Sequence, residues 1–314
     1  MNDEPQVLVL CANPALEVTF EAGVIGDGVY SCPKTTWESG GKGINVARIL
    51  KSLKTFPVLV GFIGGCVGKY IQNQLKEESI TCCLLDCLPE TRCSVVIVNQ
   101  TGGSVVVRES GRPVIDPQIS VNTILKELEN RLPGAQCLCV AGSIPPGVPA
   151  TFYRDVCRMA KLLSKPVFLD CGGEPLREAL SARPFLVKPN EEEFAALIWR
   201  EIEDEAERIN AMQEIQRMGA ENVVLSLGAK GVLAAVGTSV FSVEVPKVEP
   251  INAIGAGDAL CAGMIWAFVT GQDWQGILTT GAALGTAATR VISSGRIPAD
   301  FSEELMKVRI KRIS

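Results

Sequence analysis

The chain has 314 residues, 47% hydrophobic and 21% charged, a length and composition that suit one large α/β unit or a main unit with a small accessory one. Its net charge of −5 and 5% aromatic content speak against nucleic acid or an anionic membrane as partner. It contains no histidine, which excludes a Ser-His-Asp or Cys-His nucleophile, a His-ligated metal and an imidazole base.

In chain order, apolar β-branched runs predict strands at residues 7–11, 58–63, 137–141, 167–170, 185–188 and 223–227. Helical patterns are expected at 44–53, 123–131, 151–163, 175–182, 191–199 and 205–218, then at 257–269 and 274–291. The strand runs are apolar almost throughout, as in strands covered on both faces, so the expectation is a doubly wound parallel sheet. Two segments, about 15–38 and 91–110, break the pattern with alternating runs such as Ser94-Val-Val-Ile-Val98 and the turn Asn99-Gln-Thr-Gly-Gly103. They predict half-exposed antiparallel strands in a small sheet beside the main one, placed to act as a lid. Exposed lid strands of this kind predict a homodimer in which one lid packs on another.

The longest apolar stretch, 260–269, falls short of the ~20 residues a membrane span needs. The opening Met-Asn-Asp-Glu-Pro is acidic where a signal peptide is basic and then apolar, and a cytoplasmic location is expected. The twelve cysteines form no C-x-x-C pair and sit mostly in apolar runs, as reduced, buried thiols do. Cys82, Cys83 and Cys87 are close in sequence but lack a fourth ligand at zinc-site spacing.

Two glycine loops carry the chemistry. Asn252-Ala-Ile-Gly-Ala-Gly-Asp258 runs straight into a long apolar helix. Free amides at a helix N-terminus make an anion site, and a carboxylate at its edge is placed to take a proton from an attacking hydroxyl. Taken alone, Asp258 also reads as a simple helix cap. The second loop, Glu38-Ser-Gly-Gly-Lys-Gly-Ile-Asn-Val-Ala-Arg48, opens another helix without P-loop spacing. By itself it reads either as a ligand cradle or as a tight turn with a solvated lysine.

Together, and in this order, the two loops resemble the signatures of the ribokinase/pfkB carbohydrate kinases. The likeness runs over nearly the whole chain. Cys11-Ala-Asn-Pro-Ala-Leu-Glu17, Thr91-Arg92, Gly142-Ser-Ile-Pro-Pro-Gly-Val-Pro149, Lys188-Pro-Asn190 with Glu193, and Leu225-Ser-Leu-Gly-Ala-Lys-Gly231 are similar to motifs of its 1-phosphofructokinase and tagatose-6-phosphate kinase branch. The resemblance implies a ribokinase-like three-layer αβα fold: a single kinase domain over 1–314 with a doubly wound, mostly parallel sheet and a small antiparallel β lid.

It also implies ATP-dependent phosphorylation of a hydroxyl on a sugar phosphate of the fructose 1-phosphate, tagatose 6-phosphate or fructose 6-phosphate type. Asp258 would be the base, and the amides of Gly255, Ala256 and Gly257 the anion hole. Glu17, Gly41, Lys42, Asn45, Arg92 and Ser143 would hold the acceptor. Lys188, Asn190, Ser226, Gly228, Gly231 and Thr286 would line the ATP site, with Asn190 and Glu193 supporting Mg²⁺ through water. Asn190 and Glu193 read equally as an N-cap and its capping-box glutamate.

Three departures bear on the acceptor. Glu17 stands where the branch has aspartate, Ser94 replaces the asparagine usual after T-R-x, and Gly26-Asp-Gly-Val-Tyr-Ser-Cys32 lacks a basic residue common there. A ribokinase-like kinase of a free sugar or nucleoside, and a catalytically silent sugar-phosphate sensor, are the alternative readings.

Overall fold

Strand β1 (Gln6–Cys11) lies inside a ten-stranded sheet in the computed structural model, which describes residues 5–22, 32–99, 104–200, 202 and 204–313. Val7 to Cys11 are almost inaccessible to water. Their side chains alternate between two cores: Leu8 and Leu10 pack into one, Val7, Val9 and Cys11 into the other. A strand buried on both faces must be apolar at every position, which is why this run shows no polar alternation.

Six further strands run parallel to β1. β4 (Phe56–Ile63) and then β5 (Thr81–Asp86) extend one side; β8 (Cys137–Ala141), β9 (Val167–Asp170), β10 (Leu186–Val187) and β11 (Asn222–Ser226) extend the other. Beyond β11, β12 (Val232–Val236), β13 (Ser239–Glu244) and β14 (Arg309–Arg312) are antiparallel. Helices α3 (Pro117–Arg131), α4 (Phe152–Leu162), α5 (Gly173–Leu180), α6 (Glu191–Ile198) and α7 (Glu205–Met218) send residues into the first core. Helices α1 (Lys42–Ser52), α2 (Gly65–Glu77), α8 (Ala256–Val269) and α9 (Trp274–Ala288) send theirs into the second. The result is a three-layer αβα stack.

The predicted strands each fall on an observed one. Helix α2 and strands β5 and β12 to β14 were not anticipated: α2 is amphipathic but half-exposed, and β5 alternates only weakly. Helix α3 starts earlier than expected because Asp116 caps Ile119 N–H and Pro117 follows at the first position. Helix α9 ends before its predicted limit because the carbonyl of Thr289 is taken by the amides of Ile251 and Asn252.

The chain passes from β1 toward β4 on one side and later returns to β8 on the other. At such a reversal the loops leaving the carboxyl ends of neighbouring strands diverge and open a crevice. The two inserted segments stand over that rim. They form a small sheet of β2 (Ala15–Ala22), β3 (Lys34–Gly40), β6 (Arg92–Asn99) and β7 (Ser104–Arg108), in the order β3-β2-β6-β7. Both outer pairs are antiparallel, whereas β2 and β6 run parallel. That follows from their origin: each rises from the rim after a parallel strand of the main sheet. The register puts Glu38, Glu17, Ser94 and Arg108 in one cross-strand row. Trp37, Val18, Val95 and Val107 form the next row, on the opposite face.

Candidate active site

Asp170 ends β9 with its side chain completely buried. A carboxylate there is costly unless paired. Lys42 Nζ, at the first turn of α1, meets its Oδ1 at 2.8 Å, and Lys188 Nζ, just beyond β10, meets Oδ2 at 3.2 Å. Burial alone would raise the Asp170 carboxyl, but the two ammonium groups outweigh it and hold it below its ordinary value. Lys42 also pairs with Glu193 Oε1 at 2.9 Å. Burial would depress the Lys42 ammonium, yet Asp170 and Glu193 hold it well above the usual lysine range.

The Gly255–Asp258 loop lies beside this network. Gly255 caps α8 at φ 86°, a left-handed conformation that glycine adopts without strain. A Cβ on Gly257 would stand 3.4 Å from Lys188 Nζ, which places the ammonium beside the first turn of α8. The amides of Gly255 and Gly257 have no acceptor among the described residues, and that of Ala256 reaches the Ala253 carbonyl at a long 3.3 Å. Asp258 is buried, and its Oδ2 accepts a bond from Asn45 Nδ2 at 2.7 Å. Burial, and then the charge of Asp170, push its carboxyl up to about 7 against the opposing pull of Lys42, Asn45 and Lys188. Asn45 Oδ1 is buried without a hydrogen-bond partner, an unused acceptor next to the carboxylate.

Across the crevice, Arg92 and Arg108 line an open pocket of about 480 Å³ with Ser110 and Ser143. Arg92 donates only to main-chain carbonyls, to Asn13 O from Nε and Nη2 at 3.2 and 3.0 Å and to Glu109 O from Nη1 at 3.2 Å. The Glu109 carboxylate faces Arg112 and Cys93 N–H instead. Neither Arg92 nor Arg108 has an ion-pair partner among the described residues. Thr91 anchors the strand below by bonding both the N–H and the carbonyl of Gly64. Asn13 Nδ2 joins Ser143 Oγ at 3.1 Å, tying the loop after β8 to the loop after β1. Gly41, at φ 110°, packs against Cys11 and Pro14, and Cys11 stands within electrostatic range of both Arg92 and Asp258.

Lys42, expected on the acceptor side, is thus committed to Asp170 and Glu193. Glu17 lies on the face of the small sheet that carries Arg108, and its Oε1 accepts from Ser294 Oγ. On the other flank Asn190 and Glu193 form a complete capping box on α6. Glu193 spends Oε2 on the Asn190 amide and Oε1 on Lys42, leaving no bare carboxylate for direct metal ligation. Lone pairs remain for water, which suits a hard cation that keeps most of its hydration shell. No cluster of His, Cys, Asp or Glu fit to cage a metal occurs among the described residues. Gly228, at φ 58°, has open space where a side chain would stand, room for a ligand against the backbone. Ser226 lies at the end of β11 beside Asn190. Gly231 is dictated by packing, since a Cβ there would fall 2.0 Å from the Val243 carbonyl. Thr286 is buried with its hydroxyl bonded to Ala282 O in its own helix. Residues 26–31, where a basic side chain is lacking, lie outside the described residues.

A family model described as pfkB family carbohydrate kinase matches residues 18–300. The chain belongs to the pfkB family of carbohydrate kinases. A crystal structure of a "possible 1-phosphofructokinase" from Thermotoga maritima is 26% identical, with TM-score 0.90 over 98% of this chain and 100% of the other. Phosphofructokinase-2 of Escherichia coli, crystallised with fructose-6-phosphate, is 26% identical, with TM-score 0.84 over 96% and 98% of the two chains. Arabidopsis thaliana ribokinase, complexed with ribose and ATP, shares the fold at 19% identity, with TM-score 0.77 over 97% and 99%. The chain is therefore a sugar kinase of the pfkB type with phosphofructokinase-like neighbours.

Sequence reading of this pfkB kinase passed over Asp170, Asn13, Arg108 and Ser294. Asp170 left a trace, a lone carboxylate closing an otherwise apolar strand. Asn13 sat in a quoted motif without a role. Arg108 and Ser294 left none, because only strand register and loop packing bring them to the site. Replacing Asp170 with asparagine removes the negative charge facing Asp258 and frees Lys42 and Lys188 to act on it. Asp170→Asn should therefore move the Asp258 titration below about 7, read by carboxyl NMR, and cost on the order of 3 kcal/mol in urea unfolding. An unmoved titration would remove Asp170 from the electrostatics of Asp258.

Proposed function

We propose that this pfkB kinase transfers the γ-phosphoryl group of MgATP to a hydroxyl of a sugar phosphate of the fructose or tagatose phosphate class. The observation that carries the acceptor class is the pair Arg92 and Arg108, two guanidinium groups with no carboxylate partner among the described residues, lining one open pocket with Ser143. Guanidinium forks match phosphate oxygens, and Arg92 keeps two of its five N–H donors unspent. A free sugar lacks the phosphate oxygens that such forks pair with.

Bound MgATP would supply the phosphoryl group. Lys188, Asn190, Ser226 and Gly228 would border the nucleotide, with Asn190 and Glu193 holding the water shell of Mg²⁺. Asp258 takes the proton as the acceptor oxygen attacks. A loose phosphoryl transition state asks mainly for alignment and charge neutralisation, which Lys188 and the amides of Gly255 and Gly257 supply. Asn45 holds Asp258 in position through its Nδ2 donor. We read the chain as one kinase domain whose small sheet acts as a lid, working in a reducing cytosol that keeps its twelve free thiols reduced.

We also propose a homodimer formed through the lid. Its face opposite Glu17 exposes Trp37 by 53% and Val105 and Val107 by 60% each, in adjoining cross-strand rows. Contiguous exposed apolar surface of this kind favours self-association. Sedimentation should give a dimer that Trp37→Glu converts to monomer; a wild-type monomer at all concentrations would exclude it.

An ADP-release screen with fructose 1-phosphate, fructose 6-phosphate, tagatose 6-phosphate, free hexoses and nucleosides tests the reaction. Turnover is expected with a phosphorylated hexose, and Asp258→Asn should lower kcat by about 10²- to 10⁴-fold. Because the base must be ionised, kcat/KM for the acceptor should fall as pH drops through about 7. Binding without ADP release would favour the sensor reading. Arg92→Ala and Arg108→Ala should each raise KM for the phosphorylated acceptor about ten- to a hundredfold, narrowing its advantage over the free hexose. Equal changes for both acceptors would remove the arginines from phosphate recognition.

A further inference from the structure

Glu17 stands where the resembled branch has the aspartate, one methylene shorter, and its reach is used. It carries Oε1 off the β2 strand to the hydroxyl of Ser294, a buried residue of the loop after α9. Gly40, across the β2–β3 pair, leaves the space for this, since a Cβ there would lie 3.1 Å from the Glu17 Cβ. Glu17 Oε2 accepts from no donor among the described residues, so one oxygen is spent within the protein and the other is left for a ligand.

Ser294 is also packed into the site. A side chain on Gly255 would come within 3.1 Å of its Cβ, so it backs the N-cap of the anion loop. Its neighbour Gly295 presses on Asn45, whose amide holds Asp258; a Cβ there would fall 2.6 Å from Asn45 Oδ1. Arg296 completes the turn by reaching Glu38 on β3. Residues 294–296 thus touch the small sheet on one side and the anion loop and base on the other.

We propose that Ser294 is the positioning residue for the Glu17 carboxylate, holding it where the resemblance places the acceptor. The assignment rests on the kinase reading above. Of the two carboxylates on this face of β2, Glu21 is paired with Lys34, whereas Glu17 keeps one oxygen free, and Ser294 sets where that oxygen stands relative to the anion loop. The bond also favours the ionised carboxylate. Burial raises the Glu17 carboxyl, the Ser294 hydroxyl opposes that, Glu38 on β3 adds to it, and Arg108 on β7 and Arg48 on α1 oppose it. Without the hydroxyl, Glu17 protonates at higher pH and accepts hydrogen bonds more weakly.

The test uses the full chain with MgATP and the best phosphorylated acceptor. Ser294→Ala should raise the acceptor KM about tenfold, the loss expected for a hydrogen bond to a charged group. It should leave kcat within about twofold and KM for ATP unmoved, and shift the acidic limb of 1/KM to higher pH. Ser294→Thr, which keeps the hydroxyl, should restore the acceptor KM. In a Glu17→Asp background the shorter carboxylate no longer reaches residue 294, so Ser294→Ala should add less than about twofold. An unchanged acceptor KM in Ser294→Ala, fully additive effects in the double variant, or parallel loss of kcat and ATP affinity would each overturn the proposal while leaving the kinase reading intact. Absence of wild-type turnover with every acceptor would overturn both.

Discussion

Asp170 carries its charge out of reach of water, and much of the site is arranged to make that tolerable. Its two oxygens draw Lys42 from the start of α1 and Lys188 from beyond β10 to the end of β9. Lys42 then draws Glu193, which closes the cap of α6. One buried carboxylate therefore holds three strand-end loops and two helix starts in fixed relation. Breaking such a network by removing one member leaves uncompensated charge in the interior, which is why it makes a rigid platform. The same charge reaches Asp258. Together with burial it lifts that carboxyl toward neutrality, where a group can both hold and release a proton near working pH.

Charge is distributed locally against the overall sign. The chain is net negative by five, a field that repels sugar phosphates and nucleotides alike. Arg92 and Arg108, without an ion-pair partner among the described residues, line the open pocket, and the buried Lys188, paired with Asp170, lies near the first turn of α8. Lys42 shows the distinction: its type suggests phosphate binding, whereas in this structure its charge is paired with Asp170 and Glu193.

The small sheet divides its labour by strand alternation. One face carries Glu17, Ser94 and Arg108 in a single row, and the other exposes Trp37, Val105 and Val107. A two-sided sheet of this kind has its register strongly specified, because a shift of one residue would exchange the polar and apolar faces. Its parallel central pair, unexpected from sequence, follows from both inserted segments leaving the same rim of the main sheet.

Local pattern was enough to find the parallel core strands, most helices and both glycine loops, since each is encoded by neighbours in the chain: periodicity, caps and backbone freedom. Family likeness then fixed the reaction class through the order of the motifs. Elements whose burial depends on distant partners were not legible, among them the half-exposed α2, the outer strands β5 and β12 to β14 and the short helix Ser302–Lys307. The same holds for side-chain roles. That Asp258 is a helix-start carboxylate is written in seven consecutive residues. That it meets Asn45, sits near Asp170 and is pushed up to about 7 depends on residues 88 and more positions away. Arg108 beside Arg92, and Ser294 against Glu17, exist only once the strands are in register and the last loop is packed. Sequence alone determined which groups this protein has for its chemistry. Tertiary structure decided which of them are charged, paired and free to act, because burial and electrostatic partnership are properties of neighbours in space.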